Sequence, residues 1–202
     1  MPGRSFRFIH ASDLHLEQPV GGGSEIPDAW RQLLIDAPYR AAERLFDAAV
    51  HEQVDFVVLS GDVVQAAQAG PRALLFLAEQ FERLAQQRIA VYWCGGEVDA
   101  LEQWPVAMRL KENVHRFPTD RVAVVVHHRG DEPLAQLIGA GASGWHRLRP
   151  AEFTRESTNL YAIAVAYGQV DAEALVKSPL QYWALGGEHR RRSLLSGQTI
   201  AQ

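Results

Sequence analysis

The chain has 202 residues, a formal net charge of −4, 47% hydrophobic and 22% charged residues, and a single cysteine. That length supports one domain with a substantial core, and the balance is that of a soluble globular protein. It excludes nucleic-acid binding by bulk positive charge, an intrachain disulfide, and, with no stretch near the roughly 20 apolar residues of a span, a transmembrane helix. The start lacks the apolar run of a signal peptide. With the lone cysteine, this points to a cytoplasmic protein.

Arg7 to Ala11 reads as the first strand, and it leads into Ser12-Asp13-Leu14-His15. Extended residues two apart point to the same side, so Asp13 and His15 can reach a common cation. A carboxylate with an imidazole suits Mn, Fe or Zn better than a soft metal. Gly21-Gly22-Gly23-Ser24 reads as a loop. Ala37 to Glu52 is predicted helical, with Ala41, Ala42, Leu45, Phe46, Ala49 and Val50 on one face.

Val54 to Ser60 is a near-continuous apolar run, as expected of a strand covered on both faces, and it ends in Gly61-Asp62. Leu74 to Arg88 is a second amphipathic helix, expected to bury Leu75, Leu77, Ala78, Phe81, Leu84 and Ala85. Ile89 to Cys94 is a third strand, broken by Gly95-Gly96. Strand, helix, strand, helix, strand is an α/β signature. Functional groups of such sheets gather at the carboxyl ends of the strands, where Asp13, His15, Asp62 and Glu97 all fall.

Further strands are expected at Val122 to Val126, Asn159 to Gly168, Tyr182 to Gly186 and Leu194 to Ala201, with a short helix from Asp171 to Lys177. Arg129 to Pro133 and Gly139 to Gly144 read as loops. His127 and His128 are adjacent, so on a strand they point to opposite faces and do not easily serve one ion. They read as surface residues at a strand end. Cys94 reads as a small packed residue. Arg147, Arg149 and Arg190-Arg191-Arg192 are the groups available to phosphates.

Asp13-x-His15, Gly61-Asp62, the Gly95-Gly96-Glu97 break and Gly186-Gly187-Glu188-His189 come in an order that resembles the calcineurin-like metallophosphoesterases. The phrases FIHASDLHLE, VDFVVLSGDVV and YWALGGEHRRR resemble the SbcD-type DNA-repair exonuclease branch in particular. The resemblance implies a four-layer α/β/β/α sandwich over residues 1–202, as a single domain lacking the C-terminal strands and cap of the family. It implies two metal ions that clamp a phosphate and activate water. Asp13, His15, Asp62 and His189 match the first metal site. At the second, Gly96 stands for an asparagine, Glu97 for the catalytic histidine, Tyr167 for a later histidine and Gly187 for another.

Three carboxylates, Glu97, Asp99 and Glu188, are available to replace lost ligands, or else are solvated loop residues. Tyr167 is a phosphate-binding hydroxyl or a core tyrosine. The resemblance therefore implies a divalent cofactor, Mn ahead of Fe or Zn, as one ion rather than two. It implies a phosphodiester or nucleic-acid substrate and an SbcC-type ATPase partner; oligomeric state stays open. Two functions follow: an altered metallophosphoesterase, nuclease-like and related to DNA repair, or a non-catalytic binding or scaffold module that keeps the fold.

Overall fold

The structure, a computed structural model, describes residues 5–18, 27–65, 69–100, 102, 105, 109–142, 147–156, 159–188, 193–196 and 199–201. Strands β1 (Phe8–Ala11), β2 (Phe56–Ser60), β3 (Ala90–Cys94) and β4 (Val114–Arg116) form a parallel sheet in that order. Successive side chains of a strand point to opposite faces, and β2 shows how the sequence uses this. Val57 and Leu59 face helices α1 (Asp28–His51) and α2 (Pro71–Gln86), while Phe56 and Val58 face a second sheet. Both faces are covered, which is why the run is apolar throughout.

The second sheet holds β5 (Ala123–Arg129), β6 (Glu132–Ala140), β7 (Tyr161–Tyr167), β8 (Tyr182–Gly186), β9 (Leu194–Ser196) and β10 (Thr199–Ala201), in the order β5-β6-β7-β8-β10-β9. Its inner face presents Leu137, Ile163, Val165 and Ala184 to β2 and β3. Its outer face packs Ile138, Ala164 and Trp183 with Leu175 of helix α3 (Ala172–Val176) and with Leu148 and Phe153 of the segment between β6 and β7. The layers are thus helix, sheet, sheet, helix, as the resemblance implies. Among the described residues no helix is long and apolar enough to cross a membrane.

Several local expectations need correction. Helix α1 starts at Asp28, well before Ala37, and runs through Pro38. Its first turns are largely exposed, Trp30 at 59%, so they carry no buried-face periodicity to read. In α2, Leu75 is 57% exposed, whereas Leu77, Phe81 and Leu84 are buried as expected. Strand β6 takes in Glu132 and Pro133 of one segment read as a loop, Gly139 and Ala140 of the other, and everything between them, because Pro133, Gln136 and Gly139 interrupt its apolar pattern. It pairs antiparallel with β5 through a hairpin at Gly130. Strand β4 has no counterpart among the expected elements, and the last expected strand is an antiparallel pair, β9 with β10.

Three tyrosines carry hydrogen bonds across the two sheets. Tyr92 of β3 bonds His127 Nδ1 of β5 at 3.0 Å. Tyr182 of β8 bonds His10 Nδ1 of β1 at 3.1 Å, and His10 Nε2 bonds Ser60 Oγ at 2.6 Å. Tyr167 of β7 donates to Asp62 Oδ2 at 2.7 Å. His127 is therefore a buried inter-sheet residue, not a surface one, while His128 is exposed. Burial lowers the pKa of both His10 and His127 to about 4.

Candidate metal centre

The loops that leave β1 and β2 run side by side and extend the parallel pairing. Asp13 N–H donates to Gly61 O at 3.0 Å, His15 N–H to Asp62 O at 2.9 Å, and Leu16 N–H to Val63 O at 3.0 Å. Asp13, His15 and Asp62 hold φ of 55°, 46° and 53°. Left-handed backbone is uncommon outside glycine, although Asp and His accept it more readily than most. The convergence of Asp13 and His15 thus does not come from an extended strand, as the sequence suggested. Two left-handed residues, each tied to the β2 loop, turn the chain so that both side chains face Asp62.

One ligand atom from each of Asp13, His15 and Asp62 lies within 4.8 Å of the other two, and His15 Nε2 is 3.9 Å from Asp13 Oδ1. Asp62 is only 3% exposed, while the side chain of His15 keeps 24% of its surface open. Both ring nitrogens of His15 and Oδ1 of Asp13 are themselves buried, so the ligand atoms face one another and not the solvent. Two carboxylates and an imidazole in this arrangement fit a divalent cation of hard or borderline character.

A third loop arrives from the second sheet. At Gly186, the last residue of β8, a Cβ would collide with the carbonyl of Ser60 and stand 3.1 Å from Ser12 Cβ. Only glycine permits that approach. It brings Gly187 N–H to Asp13 Oδ2 at 3.2 Å. In sequence this loop leads on to His189, which lies outside the described residues, as do Gly21 to Ser24 and Arg190 to Arg192.

The break after β3 is built differently from its sequence reading. Asp99 is not a solvated loop carboxylate: it is fully buried. Its Oδ1 accepts from Asp62 N at 3.0 Å and Gly96 N at 2.6 Å. Its Oδ2 accepts from Val63 N at 3.0 Å and Trp93 Nε1 at 2.9 Å. Burial raises the Asp99 pKa, and the backbone donors of Gly96, Val63 and Asp62 pull against that rise. All four donors aim at carboxylate lone pairs, so the geometry accommodates the ionised form. The side chain ties the Gly61-Asp62-Val63 turn to the Gly95-Gly96 turn. The sequence offers Asp99 as a replacement ligand or a solvated loop residue, and its spacing from the glycines gives no sign of this role. Beside it, Arg116 stacks over Trp93 at 4.3 Å and donates to Asp99 O at 2.6 Å.

Glu97 and Glu188 are exposed on their loops. Tyr167 is buried at 3% exposure against Asp62, and burial, then the Asp62 hydrogen bond, raises its pKa. Cys94 is fully buried, and burial pushes its thiol well up, as suits a packing residue. Arg147 and Arg149 are exposed and paired with Asp171 at 3.6 Å and Glu152 at 3.4 Å.

Comparison with known proteins agrees with this geometry. Residues 6–140 match the family described as calcineurin-like phosphoesterase. The chain is also similar to the uncharacterized metallophosphoesterase YhaO of Bacillus subtilis, 31% identical over 201 residues. That alignment covers 93% of this chain and 49% of the relative, so the chain spans about half the relative's length. A parallel sheet with Asp13, His15 and Asp62 gathered at its carboxyl edge, in a segment that carries the family match, establishes that the chain belongs to the calcineurin-like phosphoesterase family.

Proposed function

We propose that the chain is a metal-dependent phosphodiesterase, nuclease-like and related to DNA repair, built on a centre altered from the family pattern. The observation that carries this is the convergence of Asp13, His15 and Asp62 within 4.8 Å at the strand ends. His189 is proposed as the fourth ligand, because the loop that leads to it already places Gly187 N–H on Asp13. A divalent ion held there supplies Lewis-acid stabilisation to a phosphoryl group and acidifies water.

The protein's own residues do the rest. Asp13 and Asp62 supply the negative charge that holds the cation, and their hydrogen bonds fix where that charge sits. His15 adds a neutral nitrogen ligand to the two carboxylates. Glu97 is assigned the leaving-group side, at the position the resemblance gives to the catalytic histidine. Without the histidine of the family pattern at that position, turnover is slow. Manganese is the cation of choice for the test, in a cytoplasmic protein.

The test is hydrolysis of a generic phosphodiester and of single- and double-stranded DNA with Mn present, in wild type and Asp62→Asn. Hydrolysis by wild type that Asp62→Asn abolishes supports the enzyme. A second reading, a non-catalytic binding module, is favoured by the Tyr167 hydroxyl on Asp62 and the exposure of Glu97. Absence of hydrolysis from wild type with Mn bound sinks the enzyme reading in its favour.

A further inference from the structure

Asp62 faces two ways. One side meets Asp13 and His15. On the other, Oδ2 accepts the Tyr167 hydroxyl at 2.7 Å and Oδ1 accepts Val98 N–H at 3.1 Å. Tyr167 reaches Asp62 from the opposite sheet and is almost wholly buried. Its ring lies against two glycines: a Cβ on Gly61 would stand 2.9 Å from Tyr167 Cγ, and one on Gly96 would stand 2.9 Å from Tyr167 Cδ2. Gly96 in turn lies so close to Asp62 that its Cβ would be 2.6 Å from Asp62 N and would overlap Oδ1. The far side of the carboxylate is thus filled by aromatic carbon and glycine backbone.

A carboxylate bridges two cations when each oxygen can point a lone pair at its own ion and each ion finds further ligands. Here an O–H already points at Oδ2, its partial positive charge standing where a second cation would have to approach. The ring takes the volume that other ligands would need. Gly61 and Gly96 offer no side chain in return.

We propose that Tyr167 holds the centre to a single divalent cation, capping Asp62 Oδ2 with its hydroxyl and filling the adjoining space with its ring. This rests on reading Asp13, His15 and Asp62 as a cation site. Tyr167 is a positioning residue, since it acts through Asp62. By orienting that carboxylate it also sets the affinity for the one ion. Loss of hydrogen-bonding partners around metal ligands typically weakens binding by about 10–100-fold.

The test titrates the full chain with Mn(II) by isothermal calorimetry and follows it by electron paramagnetic resonance. Wild type binds one Mn per chain at saturation, with an uncoupled spectrum. Tyr167→His removes the hydroxyl, opens the volume of the longer ring and offers a ring nitrogen beside it; it binds a second, weaker Mn, and the two ions give an exchange-coupled signal. Tyr167→Phe keeps the ring and loses the hydroxyl; it still binds one Mn, about tenfold more weakly.

Two coupled ions in wild type overturn the proposal. So does a folded Tyr167→His that binds one ion, or a Tyr167→Phe affinity equal to wild type. If wild type binds no Mn, the cation site itself fails and the proposal with it. Should Tyr167→His not fold, as judged by circular dichroism, the wild-type stoichiometry and the Tyr167→Phe affinity decide.

Discussion

Asp99→Asn keeps the size of a buried side chain and changes only its charge and half its hydrogen-bonding character. In the native protein four N–H groups converge on the carboxylate, two on each oxygen. An amide can present its oxygen to one pair, but its NH2 then faces the other pair, donor against donor. Either Asp62 and Gly96 N–H or Val63 N–H and Trp93 Nε1 must go unsatisfied. A buried unsatisfied group costs about 1–3 kcal/mol. Relief from burying a charge offsets part of the loss, which leaves a net destabilisation of about 3 kcal/mol. For a chain of this length that is a fall in Tm of roughly 6–12 °C.

The assay is urea unfolding followed by tryptophan fluorescence, since Trp93 is itself one of the four donors. Because Asp99 also holds the left-handed Asp62 turn, Mn affinity should fall along with stability. A change below about 1 kcal/mol, with Mn affinity intact, would refute the account of Asp99 as the tie between the two turns.

Stability should fall with acid in a defined window. His10 and His127 stay neutral in the folded protein down to pH about 4, whereas the unfolded chain takes up those protons near the ordinary value of 6.5. The contribution is complete above pH 6.5 and is lost as pH falls toward 4. For His10 the full loss is about 3 kcal/mol; denaturant melts of wild type and His10→Gln across that range would compare the slopes. Gly96→Ala drives a methyl into Asp62, costs about 1–3 kcal/mol, and weakens Mn binding, readable by calorimetry. Mn at a hundredfold excess over Kd should stabilise wild type by about 2.7 kcal/mol in a thermal melt, and chelator should reverse the shift. Asp62→Asn should show no such shift; an equal shift would place the ion elsewhere.

Strands β1 to β3 and the buried faces of α1 and α2 were legible because each is an apolar or amphipathic run, with β2 and β3 closed by glycine. The same pattern put Asp13, His15 and Asp62 at strand ends, and there the structure brings them together. The route differed, since the left-handed Asp13 and His15 depend on pairing with a loop some fifty residues away, which no local pattern encodes. Strand β6 was hidden because Gln136 is polar yet fully buried, its Oε1 accepting Glu156 N–H at 3.2 Å. Asp99 looked like any loop carboxylate, for two of its four donors, Asp62 N–H and Val63 N–H, come from 37 and 36 residues away. Tyr167 entered only through a resemblance, and its place on Asp62 is a property of two sheets meeting.

Those tyrosine contacts make the dimensions of the centre a property of the whole sandwich. The hydrophobic drive that presses two apolar faces together is non-directional, so hydrogen bonds between them add direction. Tyr92 on His127, Tyr182 on His10 and Tyr167 on Asp62 act as dowels between two plates, since each bond survives only at one offset. Asp13 and Asp62 ride on one plate, and Gly187 rides on the other. Misalignment at the far Tyr92 dowel would therefore change the gap between the loops at the centre, so wear in the body of the protein would show first at its mouth.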